Sequence, residues 1–496
     1  MKCQYRKLNL HVLLERKVNI GFGNPSKNCN SIPVSPSIRA LWSSPSFTNP
    51  GSDTTTATGA ADLAEERFFR YELIHQSKKP SSMARVGRLH TPNGVVDTPG
   101  YVPVATNAAL KGVDFRTLDD HSYETSRNHS NSTSENSKQL VFCNTYHLLL
   151  HPGREVIREA GGLQQFTSRA KNRKGLGGGP FITDSGGFQV FSLMYGSIEA
   201  ERQQENSTSG DNQSEQQQLK KRLIHKPHWN LDVMGPKHVK VSEEGVTFKS
   251  YRDGSTILLT PENTIHAQKD FGADIIIPLD ELPPHHISRE TLVDSVRRSH
   301  RWEARSLHTH LENVNNQAMY GVIHGGLDVK LRTESLDYIS SLPFDGFAIG
   351  GSLGKNRQDL KNLLSWFMPL FENDERRRLK PRHLLGIADE ESIRNAVPMG
   401  IDTMDSCYPT RLGRHGTLLT SDGHIRIKRG KHAKSYGVPI EEGCMCKTCL
   451  NYDRAFLHHL FKANEPIGMM LGTQHNLFYM QKLMAQIRED VMNDKI

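Results

Sequence analysis

No stretch of this chain holds enough consecutive apolar residues to cross a bilayer as a helix, which excludes a helical membrane anchor. Acidic residues are nearly missing from the N-terminus. Residues 1–52 carry Lys2, Arg6, Lys7, Arg16, Lys17, Lys27 and Arg39 against the single acid Glu15, so +6 of the formal +8 lies there. The remaining 444 residues carry only +2, which excludes a uniformly basic nucleic-acid-coating body. Cysteine is sparse and uneven. Cys3, Cys29, Cys143 and Cys407 are scattered, while Cys444, Cys446 and Cys449 fall within six residues. That spacing excludes a disulfide framework and points to a reducing compartment with one metal site.

What is present falls into three parts. Residues 1–66 are rich in Ser, Pro, Asn and Thr, with Arg and Lys among short apolar runs such as Leu8–Leu14. This pattern predicts a disordered leader of the organellar transit type, mitochondrial or plastidic, and otherwise a cytoplasmic protein with a disordered tail. From residue 67 on, a hairpin signal appears first. Arg85–Leu89 and Gly94–Asp97 flank the turn His90-Thr-Pro-Asn-Gly, predicting a small antiparallel cap. Then short buried strands alternate with amphipathic stretches such as Arg289–His308 and Asp359–Phe371. The predicted strands are Tyr101–Ala105, Leu140–Asn144, Pro180–Asp184, Asp274–Asp280, Met319–Ile323, Gly346–Gly350, His383–Ile387 and Asp402–Asp405. Eight such units predict an α/β protein built as a (β/α)8 TIM barrel. Two Ser/Asn/Gln/Glu-rich segments, 122–138 and 200–221, read as disordered surface inserts.

The chemically unusual residues fall at the C-terminal ends of those strands. They are Asn144-Thr-Tyr-His147, Asp184-Ser-Gly-Gly187, Asp280-Glu281, His324-Gly-Gly326, Gly350-Gly351, Gly386 and Asp405. In a barrel these ends meet on one face, where active sites lie. Any one Asp alone reads as a helix cap or an ion-pair partner. Asp184, Asp280 and Asp405 together would put three carboxylates in one pocket. Two suffice for displacement at a sugar carbon, one attacking the anomeric carbon and one protonating the leaving group. A third can accept hydrogen bonds from a guanine-like base. In Phe181–Leu193, the tight Ser185-Gly186-Gly187 turn lets backbone approach a ligand, and Phe188 offers a flat apolar face.

Cys444, Cys446 and Cys449, in C-x-C-x2-C spacing, with His475 complete a closed tetrahedral shell, which predicts one structural Zn2+ per chain within a subdomain at about 441–476. His458 and His459 are the other histidines near enough in sequence to serve, and both fall on a predicted helix. Arg411, Arg414, Arg426, Lys428, Arg429, Lys431 and Lys434 against Asp422 alone form a basic strip that suits a phosphate backbone.

With these motifs in view, the chain resembles the tRNA-guanine transglycosylases, or queuine tRNA-ribosyltransferases, and it is bacterial-like apart from its leader. The matching stretches are Pro103–Val113, Asn144–Gly153, Thr183–Leu193, Ser242–Pro261, Leu279–Glu281, Phe347–Gly351, Gly400–Gly416 and Cys444–Asn476. The resemblance implies exchange of the wobble guanine of GUN-anticodon tRNAs for queuine or the prequeuosine base. It implies Asp405 as the nucleophile of a covalent ribosyl intermediate and Asp184 as general acid/base. Asp280, His324, Gly350, Gly351, Phe188, Ser185 and Gly386 with Leu385 match the base pocket, and Arg411 and Arg414 match tRNA contacts. It further implies a homodimer, or a heterodimer with a homologous accessory subunit. That accessory subunit, which needs no catalytic carboxylates, is the alternative identity; an archaeosine-forming enzyme and a barrel glycosidase are weaker ones. Three positions depart from the bacterial pattern. His324 stands where the family usually has Gln, so one amide donor–acceptor pair is lost. Leu282 replaces a bacterial Cys, and Gly354 a bacterial Val. The Gly354 substitution predicts room for the larger base, queuine.

Overall fold

The structure, a computed structural model, describes residues 68–119, 137–170, 178–195, 239–250, 252–283 and 287–496. The predicted leader 1–66, the insert 200–221 and all but the last two residues of the insert 122–138 lie outside the described residues. Among the described residues, no helix is long and apolar enough to cross a membrane.

The described chain opens with three antiparallel strands, β1 (Arg70–Gln76), β2 (Arg85–Thr91) and β3 (Gly94–Thr98), in the order β1-β2-β3. Thr91 pairs with Gly94 across the turn, as the hairpin signal predicts. Eight parallel strands follow: β4 (Gly100–Pro103), β5 (Val141–Cys143), β6 (Phe181–Thr183), β10 (Ile275–Ile276), β11 (Ala318–Ile323), β12 (Gly346–Ile349), β13 (Arg382–Leu384) and β14 (Thr403–Ser406). Their order is β4-β14-β13-β12-β11-β10-β6-β5. A parallel bridge between Val104 and Phe142, with Ala105 N donating to Phe142 O at 2.7 Å, joins the two ends into a ring. This is the predicted barrel, with each strand within a few residues of its expected place. The exception is β10, expected over Asp274–Asp280 and only two residues long. Pro278 cannot donate to a ladder, and the Gln268 side chain takes over both backbone groups of Ile277, at 2.9 and 3.1 Å.

Side chains alternate along these strands, and this positions the site. Val102, Phe142, Ile182, Ala318, Tyr320, Val322 and Ala348 form the barrel interior. Their neighbours Tyr101, Val141, Phe181, Met319, Ile323, Phe347, Ile349, Leu384 and Met404 pack outward against helices. With a period of two, the next inward positions are Asn144, Asp184, His324 and Gly350. On β13 and β14 the same parity turns His383, Leu385, Thr403 and Asp405 inward. The helices obey the complementary rule. Arg357–Phe367, capped by Asn356, buries Leu360, Leu363, Leu364 and Phe367 along one stripe. It stops before Pro369, where the predicted Asp359–Phe371 helix continues, because proline has no N–H to give.

Two features were not anticipated. A second small antiparallel sheet, β7 (Lys240–Val241), β8 (Val246–Lys249) and β9 (Thr256–Leu259), packs Val246, Phe248 and Leu259 against Tyr146, Val190 and Phe191 beside the strand ends. The β1–β3 cap is also fixed to the N-terminal end of the barrel by buried ions. Asp274, just before β10, accepts Asn93 N and Nδ2, both at 3.0 Å. Asp402, just before β14, is fully buried and accepts Arg85 Nε at 2.8 Å, Tyr71 Oη at 2.9 Å and Arg382 N at 2.7 Å. Removing one partner of a buried pair leaves the other charge uncompensated. Asp402→Ala is therefore expected to cost about 3–5 kcal/mol, read as a lower denaturant midpoint; an unchanged midpoint would contradict this anchoring role.

A hairpin of β15 (Thr417–Thr420) and β16 (Gly423–Arg426) and a terminal helix, Pro466–Met492, complete the chain. The helix Tyr408–His415 crosses the terminal helix so closely that a Cβ on Gly413 would stand 2.7 Å from Thr473 Cα.

Candidate active site and metal centre

The three carboxylates meet at the C-terminal face of the barrel, each on a different support. Asp184 follows β6, where the Phe181–Thr183 ladder ends. Thr145 N donates to its Oδ1 at 2.9 Å and Gly186 N at 3.2 Å, while Asn144 Nδ2 donates to Oδ2. The turn that delivers Gly186 needs glycine, since φ is +84° and a Cβ would lie 2.7 Å from Tyr146 N. Burial pushes the Asp184 carboxyl up to about 7, and the nearby charges of Asp280 and Asp405 add to the shift. Asp280, in the loop after β10, is likewise pushed up to about 7 by burial, with the charge of Glu281 contributing. Asp405 sits on β14 itself, 6% exposed. Gly386 N donates to its Oδ1 at 2.8 Å, and His383 Nε2 lies 3.1 Å from the same oxygen. Among the described residues both contacts fall on Oδ1, so Oδ2 is the oxygen free to react. Thr403 Oγ1 holds the other nitrogen of His383 at 2.9 Å, and Phe142 stacks on its ring.

The remaining predicted residues line the same region in unequal roles. Phe188 is 46% exposed at the start of the helix Gly187–Tyr195, an aromatic face available for stacking. Ser185 is buried, and its hydroxyl accepts Gly187 N at 3.3 Å, so it shapes the turn. His324, also buried, lies 3.6 Å from Asp280 Oδ2 through Nε2. Gly350 fits against Val322 and Leu385, where a Cβ would stand 2.6 and 3.1 Å away. Gly351 has φ +72°, and its Cβ position is 3.6 Å from His324 Nδ1. Gly354 does not act as predicted. Its φ is +99°, and a Cβ would collide with Asp359 Cβ at 2.2 Å, so glycine is needed for the loop-to-helix passage, with no room made beside a base.

Several residues of the site escaped the sequence reading. Asn144 was noted only as one of the unusual strand-end residues; it both caps the helix Thr145–Leu150 through Oδ1 and holds Asp184 through Nδ2. His383, which orients Asp405, was detectable only from the inward parity of β13. Arg332 was hidden because it belongs to an outer helix. Fully buried, it donates to the carbonyls of Ile323 (3.2 Å), Gly326 (2.8 Å), Gly350 (3.1 Å) and Ser352 (3.2 Å), tying the loops after β11 and β12 together. Glu281, adjacent to Asp280, instead pairs with Arg298 and leaves the pocket to its neighbour.

Cys444, Cys446, Cys449 and His475 converge with all four ligand atoms within 4.8 Å of one another. His475 Nδ1 lies 3.8, 3.4 and 3.4 Å from the three sulfurs. Sulfur and nitrogen on one tetrahedral Zn2+ stand about 3.5 Å apart, so the set fits a metal ion with no rearrangement. His475 Nε2 lies 2.7 Å from Leu419 O, which fixes the tautomer that frees Nδ1. His458 and His459 are elsewhere: His458 Nδ1 meets Ile427 O at 2.7 Å, and His459 stacks on Phe456. Arg411 is exposed on the helix Tyr408–His415, directly after β14, and Arg414, one turn on, carries a buried Nη1 without a hydrogen-bond partner among the described residues.

Comparison with known sequences decides which of the readings above applies. The model of the family described as queuine tRNA-ribosyltransferase matches residues 79–225 and 226–496. The chain belongs to the queuine tRNA-ribosyltransferase family. It is similar to the queuine tRNA-ribosyltransferase of Protochlamydia amoebophila, 48% identical over 429 residues, 86% of this chain and 97% of that one. It is also similar to the proteins of the same name from Chlamydia muridarum (45% over 428 residues) and Chlamydia caviae (43% over 428 residues), each covering 86% of this chain and 99% of the other. As a queuine tRNA-ribosyltransferase family member the chain is a glycosyltransferase of the pentosyl class. The acids at the barrel mouth supply the pair of carboxyl groups that displacement at a ribosyl carbon can use.

Proposed function

We propose that this chain exchanges the wobble guanine of GUN-anticodon tRNAs for queuine or a related 7-deazaguanine base, through a covalent ribosyl-enzyme intermediate. The observation that carries the reading is the unequal treatment of two facing acids. Asp405 is gripped on Oδ1 and presents Oδ2, the arrangement of a nucleophile. Burial pushes the Asp184 carboxyl up to about 7, so it can give a proton and take it back. Asp405 attacks the anomeric carbon while Asp184 protonates the departing guanine. The incoming base then gives a proton to Asp184 and displaces Asp405. Asp280 accepts from the donor edge of the base, with Gly350, Gly351, Leu385 and His324 forming the pocket walls and Phe188 stacking on a face. Arg411 and Arg414 take phosphates next to the exchanged nucleotide. Zn2+ fits the Cys444–Cys446–Cys449–His475 set as a structural ion. Met445, Leu450, Tyr452, Phe456, Ile467 and Met470, in the stretch that holds this set, are exposed apolar side chains suited to contact with a second copy or a homologous subunit. An accessory subunit without catalysis is disfavoured by the presence of both Asp184 and Asp405.

The test is loss of labelled guanine from a GUN-anticodon tRNA when queuine, or the prequeuosine base, is added. Displacement by either supports the exchange reaction, and displacement by neither overturns it. The pH dependence has a defined sign. Guanine departure needs neutral Asp184, a fraction that falls as pH rises through about 7. Base uptake needs ionised Asp184, and base recognition needs ionised Asp280; both fractions fall as pH drops through about 7. The exchange rate is therefore expected to peak near neutrality and decline on both sides. A rate rising monotonically from pH 5 to 9 would contradict the role of Asp184.

A further inference from the structure

Behind the base pocket lies an acid that the proposed mechanism does not use, set against the pocket residue His324. Glu303 belongs to the long helix Arg289–Glu312, and its side chain is fully buried against the barrel. Its Oε2 accepts Val322 N at 2.8 Å. Among the described residues its Oε1 has no hydrogen-bond partner, and it lies 3.3 Å from His324 Nε2, itself buried and likewise without one. Two unsatisfied polar atoms facing each other at that distance are costly unless one proton is shared between them.

We propose that Glu303 is a positioning residue for base recognition: as a neutral acid it donates from Oε1 to His324 Nε2, which sets His324 as the Nδ1–H tautomer, a donor aimed at the carbonyl oxygen of the incoming base. The inference rests on the reading of the pocket as a 7-deazaguanine site. Geometry places one proton between the two groups. Val322 N occupies Oε2, so Oε1 is the carboxyl oxygen that shares that proton with Nε2, and an uncharged acid puts it on Oε1. Nδ1, at the opposite edge of the ring, faces the Gly350–Gly351 turn. His324 N is held separately by Ser335 Oγ at 3.0 Å, so the backbone is fixed and only the proton is left to assign. Burial is consistent with a neutral pair, holding the Glu303 carboxyl well above the carboxylate range and the His324 imidazole well below its usual value. The other titratable groups around the ring are Asp280 at 3.6 Å on the base side, His300 on the same helix as Glu303, and the Arg332 guanidinium on an outer helix. The arrangement keeps an acid neutral so that it can serve as a donor.

The test uses the full chain and three variants, E303A, E303Q and H324Q. Glutamine in place of Glu303 must keep its oxygen toward Val322 N and its amide N–H toward His324, so it imposes donation. The expected result is a KM for the base about tenfold higher in E303A. The KM for tRNA should be unchanged in E303A, and E303Q should stay near the native base KM. In the H324Q background, E303A should add no further loss, because the ring it positions is gone. If E303Q loses base affinity as E303A does, a carboxylate acceptor is required and the tautomer is wrong. If E303A leaves the base KM unchanged, Glu303 has no positioning role. The 15N shifts of labelled histidine, assigned by their absence in H324Q, report the Nδ1–H tautomer in the free protein without reference to activity. An Nε2–H signal would overturn the proposal, whereas absence of any base exchange in the native chain would overturn only the functional reading beneath it.

Discussion

Asp405→Asn is expected to abolish exchange while leaving tRNA binding in place. Asparagine can still accept the Gly386 N–H, so the loop after β13 keeps its anchor, and the substitution changes almost no volume. What disappears is the anionic oxygen that, in the proposed mechanism, attacks the anomeric carbon. Removing the nucleophile of a covalent mechanism costs far more than removing a binding contact, and a loss of at least about 10^4 in the rate of guanine release is expected. The variant should also give no tRNA–protein adduct on a denaturing gel, and its affinity for tRNA should be close to native. Residual exchange within tenfold of native would mean that another carboxylate, Asp184 or Asp280, makes the attack. Loss of tRNA binding together with activity would mean that Asp405 is a structural element of the strand.

The second large effect concerns the metal centre. Cys446→Ser or His475→Ala is expected to empty the site, since a closed tetrahedral shell has no spare ligand to substitute. Structural Zn2+ contributes on the order of 10–16 kcal/mol to small domains that depend on it, more than the neighbouring core can replace. That core is small: Leu418, Ile427, Ile440, Leu457, Leu460, Phe461 and Leu471. The damage should travel further than the subdomain. His475 lies on the terminal helix, and that helix is what Gly413 of the helix Tyr408–His415, which carries Arg411 and Arg414, packs against. Zinc content near zero, proteolysis within 430–476 and loss of tRNA binding are expected together. A variant with no metal yet native thermal stability would contradict a structural role.

How far the sequence carries the argument follows from which contacts are local. The barrel was legible because its strands are short buried runs, most of them apolar, with a chemically odd residue at or near the end, as in Ala318–Ile323 followed by His324. The three acids and the metal set were legible for the same reason, being fixed by position in a strand or by spacing. The resemblance added roles to residues already singled out, and the family match spans the same stretches. What stayed hidden depends on residues distant in sequence. Arg85 and Asp402 are 317 positions apart, and nothing near either one announces the pair. Glu303 and Arg332 lie on helices whose pattern only says that one face is buried. Gly354 was misread because a missing side chain looks the same in sequence whether it clears space for a ligand or permits a positive φ. The direction of its Cβ, toward Asp359, separates the two.

The most direct single measurement is the site of ribosylation. Native protein is mixed with a GUN-anticodon tRNA in the absence of incoming base, denatured, digested with nuclease and protease, and the peptides are weighed. The expected result is a ribose-derived mass on the peptide containing Asp405, discharged when queuine is added before denaturation. A stable adduct on Asp184 or Asp280, or exchange with no adduct on any peptide, would contradict the displacement mechanism.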